Sequence, residues 1–315
     1  MWELIYQLLP YAVAFTVPLL ITALGGLFSE RSGVVNIALE GLMLVGVFTG
    51  ALVVSVLERV LPGTAIWLGL PAAAAAGALF SLLHAFACIS LNSNQVISGI
   101  AINMLAGALT TYLARDITGS GNIQIMFGLT RLDIPLLSNL PVLGQLFFTQ
   151  TYATTWIVLV IMLLSWFILQ KTVFGLRLRA CGEHPQAAAA AGINVYLMRY
   201  IAVMLSGAFA ALGGAIMLVT YAGEFSGTVA GLGFLSLAAL IFGQWKPLGI
   251  LGATFFFGLA STVANVSQVI PALAAIPSIY LKTFPYVLTL AALVLSSKSS
   301  QAPRALGEPY EQGKR

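Results

Sequence analysis

Charge is what this sequence has least of. Only 8% of its 315 residues are Asp, Glu, Lys or Arg, against 59% hydrophobic, where a soluble domain carries about 25% charged residues. So few charges cannot cover the surface of a water-soluble fold, and the outside must face lipid. Cysteine is almost missing as well: Cys88 and Cys181 make no disulfide framework and no metal spacing. The eight methionines show no metal-binding pattern, and no metal or cofactor is expected. No G-x-x-x-x-G-K-[ST] occurs. Its nearest approach, Gly307 to Lys314, has one residue too many and is followed by Arg315, so the chain is no ATPase and no catalytic set is assigned. The net charge of +4 would suggest nucleic acid in a soluble protein. Here the basic residues are too few, and they cluster at segment ends as topology signals do. The start lacks a basic region followed by a small-residue cleavage site, so no removable signal peptide is expected.

What the chain does have is long apolar runs. A membrane span needs about 20 predominantly apolar residues, and candidates fall at 11–28, 35–57, 65–90, 95–114, 152–170, 199–221, 229–243, 247–265 and 278–296. The 229–243 run is short, and Leu136 to Phe148 is either a further, interrupted span or an interfacial helix. Lipid cannot satisfy an open strand edge, so the fold class is an all-α polytopic membrane protein of nine or ten crossings. Four of the 14 basic residues (Lys171, Arg177, Arg179, Arg199) lie in or beside one polar segment, and four more (Lys298, Arg304, Lys314, Arg315) in the C-terminal tail. The positive-inside rule places both on the cytoplasmic side, and the four spans between them agree. Lys246, in "GQWKPLG", is then cytoplasmic too. The side of the N-terminus depends on whether 136–148 crosses.

The polar segment reads "KTVFGLRLRACGEHPQAAAAAGINVYLMRY", Lys171 to Tyr200. Pro185 near a start, five alanines and Gly192 as a stop predict a short helix of about two turns. It is either a solvated connector that fixes topology or a flat alanine surface built for docking.

Four stretches carry a resemblance. "FGLRLRACGEHPQAAAAAGINV" is similar to the coupling segment of ABC-importer permeases of the branched-chain amino acid, simple sugar and nucleoside group. "GGLFSERSGVVNIALEGLMLVG" (Gly25 to Gly46), "SNQVISGIAINMLA" (Ser93 to Ala106) and "GLGFLSLAALIFGQWKPLGILGA" (Gly231 to Ala253) match the same group in the same order. The pairing of the first two of these three resembles the nucleoside branch more than the branched-chain amino acid branch. The resemblance implies two inverted-topology halves, about 1–170 and 199–297, joined by a coupling loop at 171–198 and followed by a tail at 298–315. It implies a cell-membrane permease that works with an ABC ATPase subunit, a second related or identical permease and an extracellular or lipoprotein solute-binding protein. Nucleic acid is not among the implied partners. Arg177, Arg179, Glu183, His184, Ala187, Ala188 and Gly192 are then the ATPase-coupling residues.

Candidates for the solute pathway come from polar residues inside spans. Glu40 is the one charge well inside a run, and a carboxylate there costs at least ~2.5–3.5 kcal/mol. It should face the bundle, a partner or water, either lining the path or anchoring a neighbouring helix. Asn36, four residues earlier, is expected on the same helical face. A second stripe runs Gln95, Gly99, Asn103, Gly107 and Thr111 with Ser98 beside it, suited to solute contact or to interhelical packing. Gly46-x-x-x-Gly50 reads as close helix packing, and His84 as a satisfied packing residue. Two loops, 127–139 and 265–280, are candidates for the binding-protein face, and the tail is expected to be disordered. Two alternatives stay open: a branched-chain amino acid ABC permease, and a secondary transporter with Glu40 as its coupling site.

Overall fold

A computed structural model describes residues 2–266 apart from five positions between 136 and 142, isolated residues between 280 and 287, and residues 301–311. Eleven helices are named among them: α1 (Trp2–Arg31), α2 (Leu39–Leu57), α3 (Ala65–Ala85), α4 (Gln95–Thr118), α5 (Leu143–Phe147), α6 (Ala153–Lys171), α7 (Val173–Glu183), α8 (Pro185–Ala190), α9 (Val195–Met217), α10 (Leu232–Phe242) and α11 (Pro247–Val266). A π-helical turn prolongs α3 over Phe86–Ser90 and another prolongs α9 over Leu218–Ala222. Seven described helices (α1, α2, α3, α4, α6, α9 and α11) are long and apolar enough to cross a membrane. The chain is an all-α multi-pass membrane protein. The expected ninth span at 278–296 and most of the 265–280 loop lie outside the described residues.

Helices in lipid gain little from hiding apolar side chains from one another, so close approach through small residues holds them together. The α9 helix is the hub, packed on α1, α2 and α3. A Cβ at Gly46 of α2 would strike the Ala211 backbone, and one at Gly77 of α3 would strike the Gly207 carbonyl. The close-packing role expected of Gly46-x-x-x-Gly50 is met by α9. Helices α4 and α6 are the least enclosed of the long ones.

The two ends of the bundle differ. At one, β1 (Ile123–Gln124) after α4 pairs antiparallel with β2 (Glu224–Phe225) after α9. At the other, α7 stands beside the end of α1, and α8 packs on α7 and α9. The 136–148 run does not cross: the Ile134 amide donates to the Phe148 carbonyl at 3.0 Å, so the segment returns to where it started. Among the described residues of that run the one helix, α5, has five residues, about 7.5 Å of rise.

Two further expectations fail against the packing. The run from residue 35 does not begin as helix, because Ser32 to Ala38 is turn and extended chain and α2 starts at Leu39. Asn36 and Glu40 therefore do not share a helical face. The tail over 301–311 is not a solvated coil either. Ala305 and Tyr310 are buried, the Ala305 amide donates to the Gly182 carbonyl (2.9 Å), and the Gly307 amide donates to that of Gly33 (3.0 Å).

A carboxylate between two broken helices

Two stretches of the bundle interrupt their helices. One is Ser32 to Ala38, leading into α2. The other is residues 226–231, leading into α10, a helix of only eleven residues, about 16 Å long. A buried backbone group without a partner costs about as much as a lost hydrogen bond, so each break needs a set of side chains around it.

The first break is matched almost atom for atom by the residues expected to line the pathway. Gln95 Oε1 accepts from the Val35 amide (2.7 Å). Asn36 Oδ1 accepts from the Ala38 amide (3.1 Å), and its Nδ2 donates to Ser206 Oγ on α9 (2.8 Å). Asn103 Nδ2 donates to the Ile37 carbonyl (2.9 Å) while its Oδ1 accepts from the Gly41 amide (2.7 Å). His84 Nε2 lies 3.0 Å from the Val35 carbonyl and its Nδ1 lies 2.9 Å from Ser98 Oγ. A carbonyl only accepts, so Nε2 carries the hydrogen. His84 is the packing residue expected of it. Gly99 lets α4 close on this segment, since a Cβ there would sit 3.1 Å from that of Ile37. The amide nitrogen of Gln95 is buried with no hydrogen bond.

Glu40 serves the second break. Its Oε1 accepts from the Gly231 amide at 2.8 Å and its Oε2 from the Gly233 amide at 2.7 Å. Gly231 caps the start of α10 and Gly233 lies in its first turn, where unpaired amides carry the positive end of the helix dipole. Glu40 is itself in the first turn of α2, so two helix starts share one carboxylate. The contact is tight enough that a Cβ on Gly233 would run into the Glu40 backbone. Ser206, Gly231 and Gly233 were absent from the candidates, because nothing local in the sequence ties them to residues 170 to 193 positions away.

The segment with the coupling candidates folds as two helices. Thr172 caps α7, its Oγ1 accepting from the Gly175 amide at 3.2 Å. Pro185 opens α8 and Gly192 closes it in the left-handed region (φ +80°), with Ile193 N–H donating to the Ala188 carbonyl at 3.1 Å. Arg177, His184, Ala187 and Gly192 are exposed, Arg179 and Glu183 half-buried. Ala188 is buried with Pro185, holding α8 to its own chain and leaving Gln186, Ala187, Ala190 and Ala191 outward. A strap of tail residues joins this end to the first break: Arg199, almost fully enclosed, donates to the carbonyls of Ser32 (3.2 Å) and Glu308 (3.1 Å). Cys181 is buried on α7, and burial pushes its thiol above the ordinary value.

Comparison with known proteins fits this architecture. The sequence matches the family described as "Branched-chain amino acid transport system / permease component" over residues 8–293. It is similar to the guanosine ABC transporter permease protein NupQ of Bacillus subtilis, 47% identical over 315 residues that cover 99% of each chain. The nucleoside ABC transporter permease protein NupC of Lactococcus lactis is 42% identical over 301 residues, 95% of each chain. A putative glucose ABC transporter permease protein of Haloferax volcanii, TsgC13, is 34% identical over 320 aligned positions, 93% of each chain.

Proposed function

The chain belongs to the branched-chain amino acid transport system permease family, and from that premise we propose that it forms the membrane pathway of an ATP-driven nucleoside importer. It is a transport component, not an enzyme. The observation that carries the solute class is end-to-end similarity to a guanosine permease at 47% identity. In this reading a partner ATPase docks on the outward alanines of α8, with Arg177, Arg179, Glu183 and His184 around them. A second permease completes the pathway and an external binding protein delivers the solute. Arg177 and Arg179 of α7 and Arg304 of the tail lie at one end of the bundle, which supports that end, and the C-terminus, as cytoplasmic. Asn36, Gln95, Ser98, Asn103 and Glu40 then act as the fixed frame of the pathway: they hold the starts of α2 and α10, which move when the ATPases close. The two breaks, entered from opposite ends and meeting at Glu40, support halves of inverted topology with broken helices at the centre.

One observation bears against Glu40 as a proton-coupling site. Both of its oxygens accept from backbone N–H groups, and such bonds are strongest to the ionised carboxylate, so protonation would weaken the hold on α10. The solute class is tested in proteoliposomes holding this chain with its ATPase, second permease and binding protein. Tritiated guanosine should accumulate on ATP addition while leucine and glucose stay at background. Leucine or glucose uptake without guanosine uptake would overturn the nucleoside reading.

A further inference from the structure

Irregular backbone inside a bilayer is tolerated where it is buried in protein or lines a water-filled cavity. Four residues of the second break, Ser226, Thr228, Val229 and Ala230, line a cavity. With α1, α11 and the π-helical turn that ends α9, they form a cleft of about 400 Å³ whose lining includes Phe15, Tyr221, Ser226, Thr228, Ser261 and Asn265. That is the scale of a small-molecule site, roughly 300–1,000 Å³. Its aromatic wall is Phe15 and Tyr221, with ring centres 4.5 Å apart and planes tilted by 45°. Tyr221 belongs to the π-helical turn, a distortion that recurs at functional sites. Three hydroxyls and a carboxamide join the aliphatic side chains of Met217, Val229, Leu232 and Leu235 in the lining, and no described lining residue is charged. The strand of chain along the cleft is held in an unusual shape: Gly227, Ala230 and Gly231 have φ of +77°, +54° and +81°. Ala230 has no glycine freedom, and such strain concentrates at ligand clamps.

The start of α10 borders this cleft through Ala230 and Leu232. In carriers of anions the positive end of such a half-helix receives the negative group of the solute. Here the Gly231 and Gly233 amides are already taken by Glu40, so that positive end is neutralised from within the protein. Arg131, at the same end of the bundle, is engaged by Tyr152 Oη (3.3 Å) and Gln150 Oε1 (3.2 Å) and lies over the Tyr11 ring at 4.3 Å. A neutral ligand with one flat face and several hydroxyls fits what remains.

We infer that this cleft is the solute site of the permease: the base lies against Phe15 and Tyr221, and the ribose and base edge meet the hydroxyls and Asn265. By occupying the α10 terminus, Glu40 restricts the site to the unphosphorylated nucleoside. This rests on the nucleoside-importer reading above. The test uses the complete transporter in proteoliposomes, with tritiated guanosine. Tyr221→Ala should lower uptake about tenfold, the size of one lost base–aromatic stack, and Asn265→Leu about tenfold through a lost hydrogen bond, with ATPase stimulation by the loaded binding protein unchanged. Tyr221→Phe should transport normally. Wild-type uptake from both Tyr221→Ala and Asn265→Leu overturns the site, as does loss of ATPase stimulation in step with uptake. If the wild-type transporter moves a different neutral solute and not guanosine, the nucleoside reading falls; the same variants, read with that solute, then decide the cleft. A second arm needs no turnover. On irradiation, 8-azidoguanosine should label the peptide containing Tyr221 in the wild-type chain, and its 5′-monophosphate should label it only in Glu40→Gln. Equal labelling by both compounds in the wild type refutes the selectivity assigned to Glu40.

Discussion

Removing the Glu40 carboxylate should unfasten the start of α10. The structure gives it two charge-assisted bonds, to the Gly231 and Gly233 amides at 2.8 and 2.7 Å. Bonds of this type contribute about 1.5–3 kcal/mol each. Glu40→Ala leaves both amides without their acceptor, and about 3–6 kcal/mol of local stability goes with it. Glu40→Gln keeps the shape of the side chain but not its full accepting capacity. With both oxygens in use it can keep one bond, and its NH₂ would face the other amide, so roughly half the loss is predicted. Peptide-resolved hydrogen exchange in detergent reads this directly. Local opening that is easier by about 3 kcal/mol raises exchange on the order of 100-fold, so peptides covering 226–236 in Glu40→Ala should exchange at least that much faster. The Glu40→Gln variant should fall between it and the wild type, and peptides from the middle of α9 should not change. Wild-type exchange at 226–236 in Glu40→Ala would refute the claim that this carboxylate holds α10.

Three further outcomes follow from the same packing. Ala187→Asp, on the outward side of α8, and Gly192→Pro, which cannot adopt φ +80° because proline is fixed near −65°, should abolish ATP-dependent transport while membrane insertion stays normal. Transport at the wild-type rate in either would make α8 a mere connector. Truncation after residue 300 removes the carbonyl of Glu308 from Arg199 and the Tyr310 ring from Tyr196, 5.2 Å away; limited proteolysis should then cut in or near α7 and α8 at least several-fold faster, and an unchanged rate would deny the tail its strap role. Cys88 and Cys181 are both buried, and the raised Cys181 thiol is mostly protonated at pH 7.5, so at that pH maleimide should label neither before denaturation. Labelling of Cys181 should rise with pH as its thiolate fraction grows; rapid labelling at neutral pH would contradict its burial.

Much of the bundle was legible because lipid makes hydropathy nearly decisive: the long helices lie where the apolar runs predict. The α8 helix was legible from Pro185 and Gly192, residues whose backbone limits are local. The first break was not. "SGVVNIA" is apolar and β-branched enough to pass as the start of a span, and only the surrounding side chains of Gln95, Asn103 and His84 make an extended path affordable there. The polarity of Asn36, Gln95, Ser98 and Asn103 was visible, while the use of Gln95 and Asn103 as backbone partners and the bond of Asn36 to the Ser206 hydroxyl depend on contacts 60 to 170 positions away. Composition also misled at the tail. Ala305 and Tyr310 are buried there among polar neighbours, because Gly33 and Gly182 offer carbonyls that a flexible strand can reach.

The most direct test of the account is what drives uptake. Proteoliposomes carrying the full transporter, loaded with ATP and treated with a protonophore, should accumulate tritiated guanosine at the rate seen without the protonophore. The same vesicles without ATP but with an imposed proton gradient should take up none. Uptake that follows the gradient and ignores ATP would contradict an ATP-driven importer and return Glu40 to the role of a proton-coupling site.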